Sequence, residues 1–202
     1  MKKMLLLAIG GIFFIANCYA QLSKGQKMIG GEISFATSSN ELNGFFANQK
    51  TTSFNIAPQI GFGLSKNWIA GFGLGYSHIS QRSGSDYKQT ANIFSVGAFA
   101  RKFHPFSEKA GIFGELGAGV GFGKVEEKQN GFTEKTDLTN IAATLTPGFY
   151  FKANKRIILE ANFGGLKYSH ITGKDGNGDK STNSEFSFQL TNVFGLGFQV
   201  VL

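Results

Sequence analysis

Few side chains in this sequence have the type and spacing to do chemistry. The segments Tyr76-Ser77-His78-Ile79 and Tyr168-Ser169-His170-Ile171 are near repeats. An imidazole beside a hydroxyl can activate it as a nucleophile when a carboxylate orients the ring. Ser80 lies two positions beyond His78, but the acid that follows is Asp86, inside the polar stretch Ser80 to Thr90. The reading that fits is therefore an interfacial girdle of Tyr76, His78, Tyr168 and His170, amphipathic rings at the headgroup level of a membrane. Asp175-Gly176-Asn177-Gly178-Asp179 opens like a calcium loop, which wants Gly at its sixth position and Glu at its twelfth. This chain has Lys180 and Phe186 there, so an ordinary turn tip is expected, with no metal and no cofactor. The remaining candidates are four charges, Arg101, Glu115, Glu32 and Glu160, set in columns otherwise made of Gly, Ser, Asn and Gln.

Those columns belong to strands. From Phe94 to Phe122 every second residue is apolar (Phe94, Val96, Ala98, Ala100, then Ile112, Leu116, Ala118, Val120 and Phe122) on both sides of a break at Pro105 to Lys109. Period-two alternation on either side of a short break describes a β-hairpin. A turn centred near Ser107 sets Arg101 opposite Glu115 on the same face. A charge inside a narrow interior needs a partner, so Glu32 and Glu160 are expected to join them in an ion-pair network. The second face carries Gly, Ser, one Arg and one Glu where a water-washed face would carry Lys, Glu and Thr. That face points into a tight interior, and the apolar face points into something other than water.

The same alternation recurs along the chain: Gln26 to Thr37, Thr52 to Leu64, Ala70 to Ser77, the hairpin's two strands, Asn140 to Tyr150, Leu159 to Gly164, and Phe186 to Leu202. Gly164-Gly165 is a candidate bulge that resets the alternation, and Asn192 falls on the apolar column of the last strand. Four polar stretches (Ser38 to Lys50, Ser80 to Thr90, Lys124 to Asp137 and Thr172 to Ser184) read as long loops, alternating with three short turns. Eight strands with this layout predict an all-β fold, an eight-stranded antiparallel up-and-down transmembrane β-barrel with termini on the short-turn side. Its lumen is only wide enough for side chains. A soluble barrel with the Phe-rich column inside is the rival, and it would need many more charges on the other column.

The N-terminus carries Lys2 and Lys3, an apolar run from Met4 to Ala16 too short to span a bilayer, and small residues before Gln21. This predicts a signal peptide over 1–20, cleaved between Ala20 and Gln21, and a barrel domain over 21–202. Lipidation at Cys18 is the alternative, although Asn17 sits where a lipobox wants a small residue. Removal of the leader removes the only cysteine, so no disulfide supports the mature fold.

The formal net charge is +7. On the expected topology the excess lies along the short-turn rim, where Lys24, Lys27, Lys66, Lys102, Lys109, Lys152, Lys155 and Arg156 face Glu108. The long loops are balanced. A basic rim suits anionic headgroups and leaves no basic patch with exposed aromatics for nucleic acid.

Taken together, the leader ending Ala20-Gln21, Gly30-Gly31, SVGAFARKF from Ser95, GIFGELGAGVGFG from Gly111 and the closing FGLGFQVVL resemble the small eight-stranded outer-membrane β-barrels of the OmpA/OmpX type. The resemblance implies an integral, multi-pass protein of the cell outer membrane in contact with its lipids. It also implies a C-terminal strand read by the barrel-assembly machinery, here ending in Leu202 with Phe198 four residues earlier. The expected role is structural or surface interaction through the extracellular loops, by a monomer that is not an enzyme. A narrow pore for small solutes or ions is the alternative, and a lipid-modifying enzyme the next. No extracellular ligand is legible in the loops.

Overall fold

A computed structural model describes residues 24–40, 49–84, 87–176 and 178–202, with the side chains of 40 and 189–194 left out. The expected signal peptide, its cleavage site at Ala20 and Gln21, and Cys18 lie outside the described residues. Eight strands follow one another: β1 (Lys27–Asn40), β2 (Gln49–Ser65), β3 (Trp68–Ser83), β4 (Tyr87–Pro105), β5 (Ala110–Gln129), β6 (Phe132–Lys152), β7 (Ile157–Lys174) and β8 (Lys180–Val201). Each pairs antiparallel with its sequence neighbours, and β1 pairs with β8 to close the barrel.

The alternation sorts side chains as the sequence implies. Phe72, Leu74, Phe94, Val96, Leu116, Phe122, Ile141, Leu196 and Phe198 all point outward and are exposed. An exposed apolar belt of this extent around a closed sheet is a lipid-facing surface. Closure is what makes it admissible in hydrocarbon, since it leaves the strands' backbone groups paired within the protein.

The short turns are fixed by local chemistry. Asn67 takes a left-handed φ of 65° between β2 and β3, a conformation Asn tolerates. The Ser107 hydroxyl accepts from the Ala110 amide at 2.9 Å. The Asn154 carboxamide oxygen accepts from the amides of Arg156 and Ile157 at 2.8 and 2.9 Å.

The predicted long loops are mostly strand. Lys124 to Asp137 forms the ends of β5 and β6, paired up to Gln129↔Phe132. The reversal takes only Asn130 and Gly131, with φ of 50° and 84°, the pairing of left-handed residues that a two-residue hairpin needs. Likewise β3 and β4 pair to Ser83↔Tyr87, and β7 and β8 to Lys174↔Lys180. In the first stretch β1 and β2 pair as far as Asn40↔Gln49, and 41–48 lie outside the described residues. Polar composition here marks strands that have left the membrane. A bilayer is crossed by about ten residues of a tilted strand, whereas β6 has 21 and β8 has 22.

Gly164 and Gly165 form the expected bulge, with φ of 66° and 140°. The β7–β8 register breaks between Phe163↔Phe194 and Gly165↔Gln189, and the β6–β7 register breaks between Leu145 and Gly148. Asn192 falls within the β8 side of this break, and its side chain lies outside the described residues.

Candidate functional site: the lumen

The lumen is layered. At the short-turn end one inward residue from nearly every strand is apolar: Met28, Ile69, Phe103, Phe113, Tyr150, Ile158 and Val201 form a buried cluster, with Phe99 packed against it. The sequence reading expected a polar interior throughout. Each sits near the short-turn end of its strand, where a single inward apolar residue does not break the alternation enough to be read as a layer. The ring of Phe103 meets Tyr150 edge-on at 5.1 Å, and the cluster packs as an apolar plug.

Above the plug lies the charged layer. Arg101 is paired in register with Glu115. Its Nη2 lies 2.6 Å from Glu115 Oε2 and its Nη1 2.6 Å from Glu160 Oε1. Gln199 Nε2 donates to the other Glu160 oxygen at 3.2 Å. The guanidinium also lies 4.6 Å from the centre of the Phe113 ring, with Phe99 and Phe103 at 5.7 Å, so its faces rest on the plug while its edges reach the carboxylates. Glu32 enters the layer by a different route from the one expected. It accepts a short hydrogen bond from the Asn162 carboxamide, and no ion pair joins it to Arg101 among the described residues. Arg101 has one edge for each of two carboxylates, and a third must find a neutral donor.

Above the charges a cavity of about 350 Å³ opens away from the plug, lined by the polar side chains Asn55, Gln59, Ser77, Ser95, Asn140 and Thr144, with Glu115 at its base. Its smooth wall is the row Gly73, Gly97 and Gly119, in register across β3, β4 and β5. A Cβ on Gly97 would come 2.8 Å from the Ala118 carbonyl oxygen, so glycine here lets the backbones approach. Lys167 also lines this cavity. The bulge at Gly164-Gly165 shifts the parity of β7: Leu159 faces out below it and Tyr168 above it, which turns Lys167 and the buried Ser169 inward.

The residues expected to form a girdle lie toward the long-hairpin ends of β3 and β7. Tyr76 Oη donates to Asn92 Oδ1 at 3.0 Å, His78 Nδ1 lies 2.8 Å from the same oxygen, and Tyr76 stacks obliquely on Phe94 at 4.9 Å. Tyr168 is exposed opposite Phe186, and His170 Nδ1 lies 2.8 Å from Ser184 Oγ. The partners of the two rings in these contacts are a carboxamide and a hydroxyl, and Asp86, the acid nearest His78 in the sequence, lies outside the described residues. At the opposite rim Trp68 pairs with Lys102, whose Nζ sits 5.4 Å over the indole. This anchor went unread in the sequence, although a lone Trp beside a turn-side Lys carries the signal of an interfacial aromatic. In the Asp175–Asp179 turn, the Asp175 carboxylate accepts from the Asp179 amide at 2.8 Å, which is turn chemistry.

A closed antiparallel ring with an outward apolar belt decides the architecture. This is an integral, eight-stranded transmembrane β-barrel. No protein-family model matches the chain, and no curated protein matches it. Among solved structures it is similar to Neisserial surface protein A at 16% identity over 88% of this chain and 97% of that one, with a TM-score of 0.45. It is also similar to Ail, the attachment invasion locus protein of Yersinia pestis, at 16% identity over 88% and 96%, with a TM-score of 0.40. The translocator domain of autotransporter NalP from Neisseria meningitidis matches at 10% identity over 99% and 92%, with a TM-score of 0.47.

Proposed function

We propose that this chain is a structural, surface-interacting protein of the outer membrane. In this reading the barrel is an anchor and the hairpins it raises outside are the working surface. The observation that carries the reading is the packed lumen: an apolar plug under a layer in which Arg101 bridges two carboxylates from different strands. A passage for solutes would have to break both layers, and leaving a charge unpaired in such a layer costs about 3–5 kcal/mol. Meanwhile β5 and β6 run well beyond the lipid-facing belt and carry Phe132, 82% exposed, next to their turn. Investment of sequence outside the membrane with a blocked interior favours an interaction role over transport.

The barrel sits in the outer membrane as a monomer in contact with its lipids, and its C-terminal strand β8 is the segment offered to the assembly machinery. Nucleic acid is not a partner, and the protein is not an enzyme. Purified full-length chain in planar bilayers tests the central point. Silence at high applied voltage is the expected result; reproducible discrete openings would transfer the function to the narrow-pore alternative. Identical lipid profiles by mass spectrometry with and without expression are expected, and a modified lipid would revive the enzyme alternative.

A further inference from the structure

Beyond the lipid belt the hairpins carry charge of both signs, and the register sorts it by face. One row of cations crosses four neighbouring strands: Lys50 pairs with Arg82, Arg82 with Lys88, and Lys88 with Lys128. Each lies an even number of residues from an outward apolar position of its own strand, Phe54, Leu74, Phe94 or Phe122, with no break in register between. All four side chains therefore point outward, and all four are exposed. The carboxylates Glu127 and Glu134 oppose each other on the lumen side of β5 and β6, where Gln89 donates to Glu127 at 3.4 Å. The outward carboxylates Glu126 and Asp137 sit beside Lys128 and Lys124, at 3.4 and 3.6 Å. Among the described residues no ion pair joins Lys50, Arg82 or Lys88 to a carboxylate.

Like charges set directly opposite on adjacent strands destabilise a sheet. Above the belt both faces meet water, so solubility gives no reason to gather cations on one face and carboxylates on the other. The outward face is the one that meets whatever surrounds the barrel laterally, and an anionic surrounding relieves the repulsion along the row.

Height selects among anions. The row stands four residues beyond Phe54 and six beyond Tyr76, Phe94 and Phe122, the last outward Phe or Tyr of β2 to β5. At about 3.3 Å per residue and a tilt of about 40°, that is roughly 10–15 Å above the aromatic level. The phospholipid headgroup layer is only about 5–8 Å deep. Between the aromatic level and the cations runs a row of hydroxyls, Thr52, Ser80 and Thr90, again in register. A phosphate reaches the cations when a saccharide carries it up from the lipid, and the hydroxyls face the sugars below it.

We propose that Lys50, Arg82, Lys88 and Lys128 bind the phosphorylated saccharide headgroup of a glycolipid in the surrounding outer leaflet. The Arg82 guanidinium, flanked by lysines on both sides, offers paired donors to one phosphate, and its neighbours add point charges. This site gives the surface-interaction reading above a partner, and it rests on that reading for the outer membrane around the barrel.

The test uses the full chain in phosphocholine nanodiscs with graded amounts of a rough lipopolysaccharide whose core sugars carry phosphate, and binding is read by native mass spectrometry. Lys50→Gln with Arg82→Gln and Lys88→Gln is expected to weaken binding about a hundredfold, the weight of three cations near an anionic surface. Lys50→Arg with Arg82→Lys and Lys88→Arg keeps the charge and should retain most of the binding. Lys109→Gln with Lys155→Gln and Arg156→Gln removes the same charge from the short turns and should bind like wild type. Lipopolysaccharide stripped of phosphate with hydrofluoric acid should bind wild type no better than the intact form binds the neutral row. Folding of each variant is checked by the mobility shift between unheated and boiled gel samples. Equal binding by wild type and the neutral row would overturn the site, and so would equal losses from the two ends of the barrel, which would reduce the effect to net charge. Tighter binding of soluble dextran sulfate than of lipopolysaccharide would overturn the lipid source and assign the row to a free polyanion. A chain that does not fractionate with the outer membrane would sink the surface-interaction reading and this site with it, whereas an outer-membrane chain that binds without regard to the row sinks the site alone.

Discussion

Arg101 stands between two kinds of partner, carboxylates at its edges and aromatic faces beneath it, and this sets what its loss would do. Glu115→Ala removes one edge partner and leaves Glu160 at 2.6 Å. The expected cost is about 3 kcal/mol, the lower part of the range for breaking a buried pair, read as a lower urea midpoint for unfolding from vesicles. Arg101→Met combined with Glu115→Gln and Glu160→Gln removes the charges together and should recover most of that loss, because no ion is left without a partner. If the triple variant is less stable than Glu115→Ala alone, the network contributes more than its own desolvation. Gly165 is a second single-residue control point. Its φ of 140° and the 2.1 Å between an added Cβ and the Leu145 carbonyl oxygen leave no room for a side chain. Gly165→Ala should destabilise the barrel by about 1–3 kcal/mol in the same unfolding measurement. At this scale the sequence is legible where a turn fixes the register: the break near Ser107 suffices to set Arg101 against Glu115. It is illegible where parity changes, and the inward turn of Lys167 depends on a bulge whose effect on facing is decided only when the neighbouring ladders are known.

Strands are the best-determined elements, and their outer limits the worst. Alternation identifies all eight because each has a buried column and a lipid column inside the membrane. Above the belt both faces of the sheet meet water, the contrast between columns disappears, and Lys124 to Asp137 looks like a loop while it is a ladder. The Asn130-Gly131 dipeptide carries the missing information, since few other pairs accept two left-handed residues. This hairpin is held by its own pairing and its neighbours above the membrane, apart from the plug and the charged layer. Joining Gly123 to Leu138, which are partners in register, through a two-residue Asn-Gly turn removes the extension. The shortened chain is expected to keep its unheated gel mobility and its urea midpoint within about 0.5 kcal/mol, as for changes away from packed features. A shortened chain that no longer folds would mean that the outer sheet takes part in barrel formation.

For the whole molecule, the layered lumen converts side-chain choices into a barrier. The plug packs apolar side chains across the short-turn end, and the charged layer holds its ions in fixed geometry above it; two variants test whether each layer closes the cross-section by itself. Phe103→Ala with Phe113→Ala opens the plug, yet Arg101 still ties β4 to both β5 and β7 across the interior. That double variant should stay electrically silent in planar bilayers. Adding Arg101→Ser removes the tie as well and leaves three carboxylates on the walls, Glu32, Glu115 and Glu160. Discrete openings selective for cations are then expected, because the remaining fixed charge is negative. Openings already present in the double variant would assign the seal to the aromatic plug alone. Silence in the triple variant would show that the inward residues left around the layer, Asn162 and Gln199 among them, still close an eight-stranded cross-section without help from the guanidinium.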